Sequence, residues 1–114
     1  MKTIETKQDV ELLVDTFYSI LLKDEQLAPF FKDLNFVEHL PKIVHFWSFV
    51  LLDETGYTTN VTDKHVGMKL TKVLFDRWVA LFHQTVDQLF EGEKAQLAKE
   101  RATIIGWTMA SKLG

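Results

Sequence analysis

Apolar residues recur along this chain at spacings of three and four, the period of an α-helix, and strand-type alternation is not convincing anywhere. Val10, Leu13, Val14, Phe17 and Leu21 form one stripe and predict a helix over residues 7–22. Thr6, followed three residues later by Asp9, supplies a capping box in which Asp replaces the usual Glu. Tyr18 falls roughly 90° from the centre of that stripe at ~100° per residue. A short second helix is expected over residues 24–32, with Leu27, Phe30 and Phe31 inward and Pro29 in its first turns. A third starts near Asn35, a capping side chain with Glu38 three residues on. Its main stripe is Phe36, Leu40, Ile43, Val44, Trp47, Val50 and Leu51, and a second line, His39, Ile43, Phe46 and Val50, runs along one flank. Pro41 predicts a bent or irregular start to this helix.

The next stretch breaks the pattern. Residues 53–62 carry Gly56, Asn60 and four threonines and read as a loop, and residues 63–68 allow one weak turn. Thr71 caps a long element over residues 72–90, whose stripe is Phe75, Trp78, Val79, Phe82, Val86 and Leu89. Gly92 ends it, and a last helix over residues 93–112 buries Ala95, Ala98, Ala102, Ile105 and Met109. Three alanines on one face let another helix approach closely. The sum is an all-α chain, helix packed on helix, with residues 1–114 as a single domain.

Composition narrows the chemistry. The 13 basic and 16 acidic residues leave a formal charge of −3, so the chain lacks the basic surface of a generic nucleic-acid binder. Cysteine is absent, which excludes disulfides, thiolate metal sites, cysteine nucleophiles and thioether-linked haem. The longest apolar run, residues 46–52, is too short to cross a bilayer, and the charged opening residues do not read as a signal peptide, so a cytoplasmic protein is expected. Aromatic residues make up 12% of so short a chain and must line something. The sequence has no zincin, Glu-x-x-His, Gly-x-Ser-x-Gly, phosphate-loop or EF-hand motif.

The histidines remain. His45 projects opposite the apolar stripe of its helix and should be solvated, and His83 sits at the margin of its stripe near Gln84 and Asp87. His39 shares a flank with Ile43, Phe46 and Val50, while His65 stands in the irregular segment three residues before Met68. A haem needs one neutral imidazole on a short piece of chain, two apolar walls and polar groups on the opposite face. These residues fit that requirement, and they equally fit an ordinary bundle whose Phe and Trp rings simply pack with one another.

Phe17-Tyr18, then Glu38-His39 followed by Phe46-Trp47 and Leu51-Leu52, resemble the truncated haemoglobins of the third group. Tyr57-x-x-Asn60 leading to His65, Phe75-Asp76-Arg77-Trp78-x-Ala80-Leu81-Phe82, Thr85-Val86-Asp87-x-Leu89-Phe90 and Ala98-Lys99-x-Arg101-Ala102 continue the match over nearly the whole chain. The Phe-Asp-Arg-Trp block is its most specific part. The Gly-Gly pairs that mark the other two groups are missing. The resemblance implies a bacterial truncated globin enclosing noncovalent haem b. It makes His65 the axial iron ligand and Tyr18, His39 and Trp78 the polar residues of the distal pocket. Phe31, Phe46, Val50, Met68, Leu70, Arg77 and Phe82 are the expected cofactor contacts, with Lys64, Lys69, Lys72 and Arg77 as candidates for the propionates. The chain departs from the family at Met68-Lys69-Leu70, where Leu-Pro-Leu is common, and at Leu74, where a histidine often stands.

The first expectation is therefore a haem globin that binds O₂, NO and CO and retains or reacts with them rather than transporting them. A second is peroxide chemistry or NO dioxygenation on the same residues, with electrons from an external reductase, since the chain holds no reductase domain. A third is a cofactor-free helical interaction module, which accounts for the stripes but not for His65. Neither nucleic acid nor a membrane is an expected partner.

Overall fold

The computed structural model describes residues 2–32, 36–53 and 71–113. They form helices α1 (Lys7–Lys23), α2 (Ala28–Phe31), α3 (Phe36–Leu52), α4 (Lys72–Leu89) and α5 (Glu93–Leu113). The loop expected over residues 53–62, apart from Asp53, and the weak turn expected over residues 63–68 lie outside the described residues, as does Asn35.

The predicted capping box starts α1. The Thr6 hydroxyl accepts from the Asp9 N–H at 3.3 Å, and the Asp9 carboxylate accepts from Thr6 N–H at 3.1 Å. Asp9 does more than cap. It also accepts from Glu5 N–H at 2.9 Å and pairs with Lys2 at 3.0 Å. The Glu5 N–H, with Lys2 and the Thr6 N–H, outweighs burial and holds the carboxyl down at about 2. The segment so tied pairs Lys2 with Phe90 in an isolated parallel bridge, and Ile4 and Phe90 enter the core. Their stripes did not announce either residue, because each stands outside a helical period.

The second helix is shorter than expected. Asp24 is extended as the C-cap of α1, and residues 25–27 are turn. Pro29 sits within the first two positions of α2, where its missing N–H costs no helical bond. In α3 the helix runs unbroken through Pro41, against the irregular start predicted. The acceptor that Pro41 leaves without its usual donor belongs to Val37, an exposed residue whose carbonyl water can satisfy. Asp53 ends α3 in the left-handed region with φ of 58°, a conformation that Asp tolerates better than most residues.

α1 packs on α3 and α4, and α4 packs along α5. Ala95, Ala98 and Ala102 are buried in that last seam as predicted, and Gly106 extends it. A Cβ built at Gly106 would overlap the Val79 Cγ2 methyl, so the two helices approach closely there. Gly92, with φ of 97°, turns the chain from α4 to α5.

Candidate functional site

Three helices each contribute to one aromatic cluster. α1 buries Phe17 and its neighbour Tyr18 together, because the cluster meets two adjacent faces of that helix. The Phe17 ring lies edge-on to Tyr18 at 5.7 Å, to Trp78 at 5.6 Å and to Phe82 at 4.9 Å between centroids. Trp47 of α3 stacks on Phe82 of α4 at 4.8 Å and 17°, and Phe82 is nearly parallel to Trp78 at 6.1 Å. Such geometries contribute beyond the area they bury.

The polar corner of this cluster is Tyr18. Its ring packs against Phe31 at 6.1 Å and Phe36 at 5.8 Å, and its hydroxyl lies 3.3 Å from His39 Nε2. Burial pushes the phenol well above its ordinary range, so it keeps its proton at any ordinary pH. The partner of that proton depends on His39. With N–H on Nε2, His39 donates to the phenol oxygen and leaves the Tyr18 O–H to point elsewhere. With Nε2 bare, Tyr18 donates to it.

Beside this corner lies an apolar cavity of about 30 Å³. Tyr18 and Trp78 form part of its wall, with Phe46, Trp47 and Phe82 around them and Val14, Ile43 and Ile105 closing it. That volume suits a ligand of two or three heavy atoms and no organic cofactor. The neighbouring flank of α3 is different. His39, Ile43, Phe46 and Val50 are all half-buried, while Val44, Trp47, Ser48 and Leu51, one stripe over, are buried. The half-buried line extends over about 16 Å at the α-helical rise, long and apolar enough to back a planar macrocycle.

The structure thus brings together Tyr18, His39, Trp78, Phe46 and Phe82, and Val50 continues the same flank. Phe31 stands behind Tyr18 rather than on the cavity. Arg77 is engaged by Asp24: its Nε lies 2.9 Å from both carboxylate oxygens and its Nη2 is 2.5 Å from Oδ1. Lys72 pairs with Asp76 at 3.1 Å. His65, Met68, Leu70, Lys64 and Lys69 lie outside the described residues. His45 is half-buried and has contacts of its own, not the solvated residue its angle suggested. His83 Nε2 is 2.9 Å from the Lys99 carbonyl and 2.8 Å from the Thr103 hydroxyl, a rim position tied to α5. Sequence reasoning missed Val14, Trp47 and Ile105 as cavity wall, since each sits on a regular core stripe. It also missed Asp24, which no motif marks.

Among the described residues no three His, Cys, Asp or Glu side chains gather to hold a metal, and no helix is long and apolar enough to cross a membrane. No family model matches the chain. A protein of Campylobacter jejuni named group 3 truncated hemoglobin is 27% identical over 106 residues, covering 87% of this chain and 84% of its own length. The crystal structure of a group III truncated hemoglobin from Campylobacter jejuni superposes with a TM-score of 0.87 at 25% identity, over 100% of this chain and 96% of that one. The chain thus has the all-α globin fold, with a cavity at a tyrosine–histidine corner, and is similar in sequence and in structure to group 3 truncated hemoglobins.

Proposed function

We propose that the chain binds haem b noncovalently and through it O₂, NO and CO, with His65 as axial ligand and Tyr18, His39 and Trp78 facing the gas. The reading is carried by one observation: a cavity of diatomic size whose apolar wall is interrupted at the Tyr18–His39 corner, next to a half-open apolar flank. When bound, haem would supply an iron able to take a diatomic gas. Everything else is the work of the chain. Ile43, Phe46 and Val50, all half-buried, would offer the macrocycle an apolar surface. Tyr18 and Trp78 hold donors at the cavity wall, and both donors keep their protons. His39 orients the phenol. Two such hydrogen bonds, at ~1–1.5 kcal/mol each, would slow the escape of a polar ligand roughly 30- to 150-fold. That favours retention or reaction over delivery.

The test is optical and kinetic. Purified protein is expected to show a Soret band that shifts with CO, and His65→Ala to lose it. Tyr18→Phe should speed O₂ release about tenfold and leave CO release nearly unchanged, because bound CO is far less polar. A colourless chain that takes up no added haem overturns the reading. Equal acceleration for both gases overturns the donor mechanism.

A further inference from the structure

We propose that Asp24 and Arg77 are a positioning pair that sets the spacing between Tyr18 and Trp78 at the cavity. The inference rests on the function proposed above and assigns a role to two residues that touch neither the cavity nor the gas.

Asp24 stands where three pieces of chain meet. It caps the C-terminus of α1, its N–H donating to the Leu21 carbonyl. Its carboxylate accepts from the Leu27 N–H at 3.1 Å, and its carbonyl accepts from the Ala28 N–H at 2.8 Å, so it also fixes the start of α2. The same carboxylate grips the Arg77 guanidinium through Nε and Nη2. The Asp24 side chain is 8% exposed and that of Arg77 43%. This is a forked, half-sheltered pair, not a loose surface contact. Arg77, helped by the Leu27 N–H, holds the Asp24 carboxyl below the usual carboxylate range, so the charge that grips the fork is present at neutral pH.

Each arm of this junction leads to one donor. On the α2 side, Phe31 is buried and its ring packs on Tyr18. On the α4 side, Arg77 immediately precedes Trp78. Phe17 touches both Tyr18 and Trp78 edge-on, so a change in the distance between α1 and α4 must move one ring against the other. Apolar packing alone resists separation poorly in direction, since it is roughly proportional to area. A bidentate Arg–carboxylate pair is directional and fixes orientation as well as distance. The assignment also gives Arg77 a different partner from the propionates to which the family resemblance had directed it.

The test uses the haem-loaded protein with Asp24→Asn, Arg77→Lys and the double variant. Asp24→Asn keeps an acceptor for Leu27 N–H and loses the charge that holds the fork, so folding is retained. Both single variants should raise O₂ release roughly three- to tenfold, as for partial loss of one or two hydrogen bonds, with CO release changed less than about twofold. The C–O stretch of the CO-loaded protein should shift, and the double variant should add little to either single one. An unchanged stretch and O₂-to-CO ratio, with only a lower melting temperature, overturns the proposal and leaves the pair as a structural brace. So does loss of haem retention in Arg77→Lys but not in Asp24→Asn, which would assign Arg77 to the cofactor. A second readout needs no haem: in the cofactor-free chain the Trp78 indole N–H resonance should move in Asp24→Asn. If it stays in place, the spacing idea fails even where haem binding itself stands, and if the wild type takes no haem, this resonance still decides it.

Discussion

Between α4 and α5, Ala95, Ala98, Ala102 and Gly106 bring two backbones together until nothing larger fits. Along α3, the line of His39, Ile43, Phe46 and Val50 is equally regular in sequence yet stays half-buried at every position. Both are helical stripes, and they differ in side-chain size and in what faces them. Small residues let a neighbouring helix close the seam. Large residues with a histidine among them keep neighbouring backbone at a distance and leave a surface for something else to cover. A stripe therefore identifies which face of a helix is apolar, and side-chain size along it says whether that face was made for another helix.

The largest expected effect tests whether the flank really is more open than the core. Phe82 is buried, stacked on Trp47 and packed on Phe17. Phe82→Ala should cost about 3–5 kcal/mol in denaturant unfolding of the cofactor-free chain. Phe46→Ala, on the half-buried flank, should cost less than half as much there and more once haem is bound. Equal losses in the cofactor-free chain would make the flank as closed as the core, and the distinction drawn between them would fall.

Gly106→Ala probes the seam. Alanine is the better helix former by ~1 kcal/mol. Against that stands the overlap with Val79, a branched side chain with little freedom at χ1. Overpacking costs typically ~1–3 kcal/mol, so the net effect should be destabilising, and Val79→Ala in the same chain should recover most of it. A Gly106→Ala variant as stable as the wild type would mean that the helices can shift apart.

These two sites also mark how far the sequence could be read. The stripes of α1, α4 and α5 were legible because periodicity reports burial, and the three alanines foretold the close seam. Gly106 was not, since a glycine in a helical pattern reads first as a flaw. Tyr18, His39 and Trp78 were singled out by the family resemblance, and the angles of Tyr18 and His39, off the centre of their stripes, agreed with it. The hydrogen bond between Tyr18 and His39 joins residues 21 apart, and the fork of Arg77 on Asp24 joins residues 53 apart. No period or motif encodes contacts of that range. Ile4 and Phe90 escaped for a related reason: each is buried by a pairing between distant backbone segments, not by a helical face.

Ser48 gives a smaller test on α3 itself. It is fully buried on the closed face of the helix, and its hydroxyl has no hydrogen-bond partner among the described residues. Leaving a buried hydroxyl unmatched is unfavourable, and alanine favours the helix slightly. Ser48→Ala should therefore raise stability by up to about 1 kcal/mol, read as a higher denaturant midpoint at unchanged slope. A loss instead would mean that the hydroxyl meets a bound water, and that the closed face is wetter than its apolar neighbours imply.

The smallest expected effect lies at the start of α4. Lys72 and Asp76 are paired four residues apart, and both side chains are mostly exposed. An exposed pair of this kind contributes ~0.3–0.5 kcal/mol. A cation in the first turn opposes the helix dipole by a similar ~0.3 kcal/mol, so the two terms nearly cancel. Lys72→Ala should leave the cofactor-free chain within about 0.5 kcal/mol of the wild type. The informative comparison is with the haem-loaded protein. If Lys72 reaches a propionate, the variant should lose haem faster while the cofactor-free stability stays put. If haem retention is also unchanged, the pair with Asp76 is all that Lys72 does.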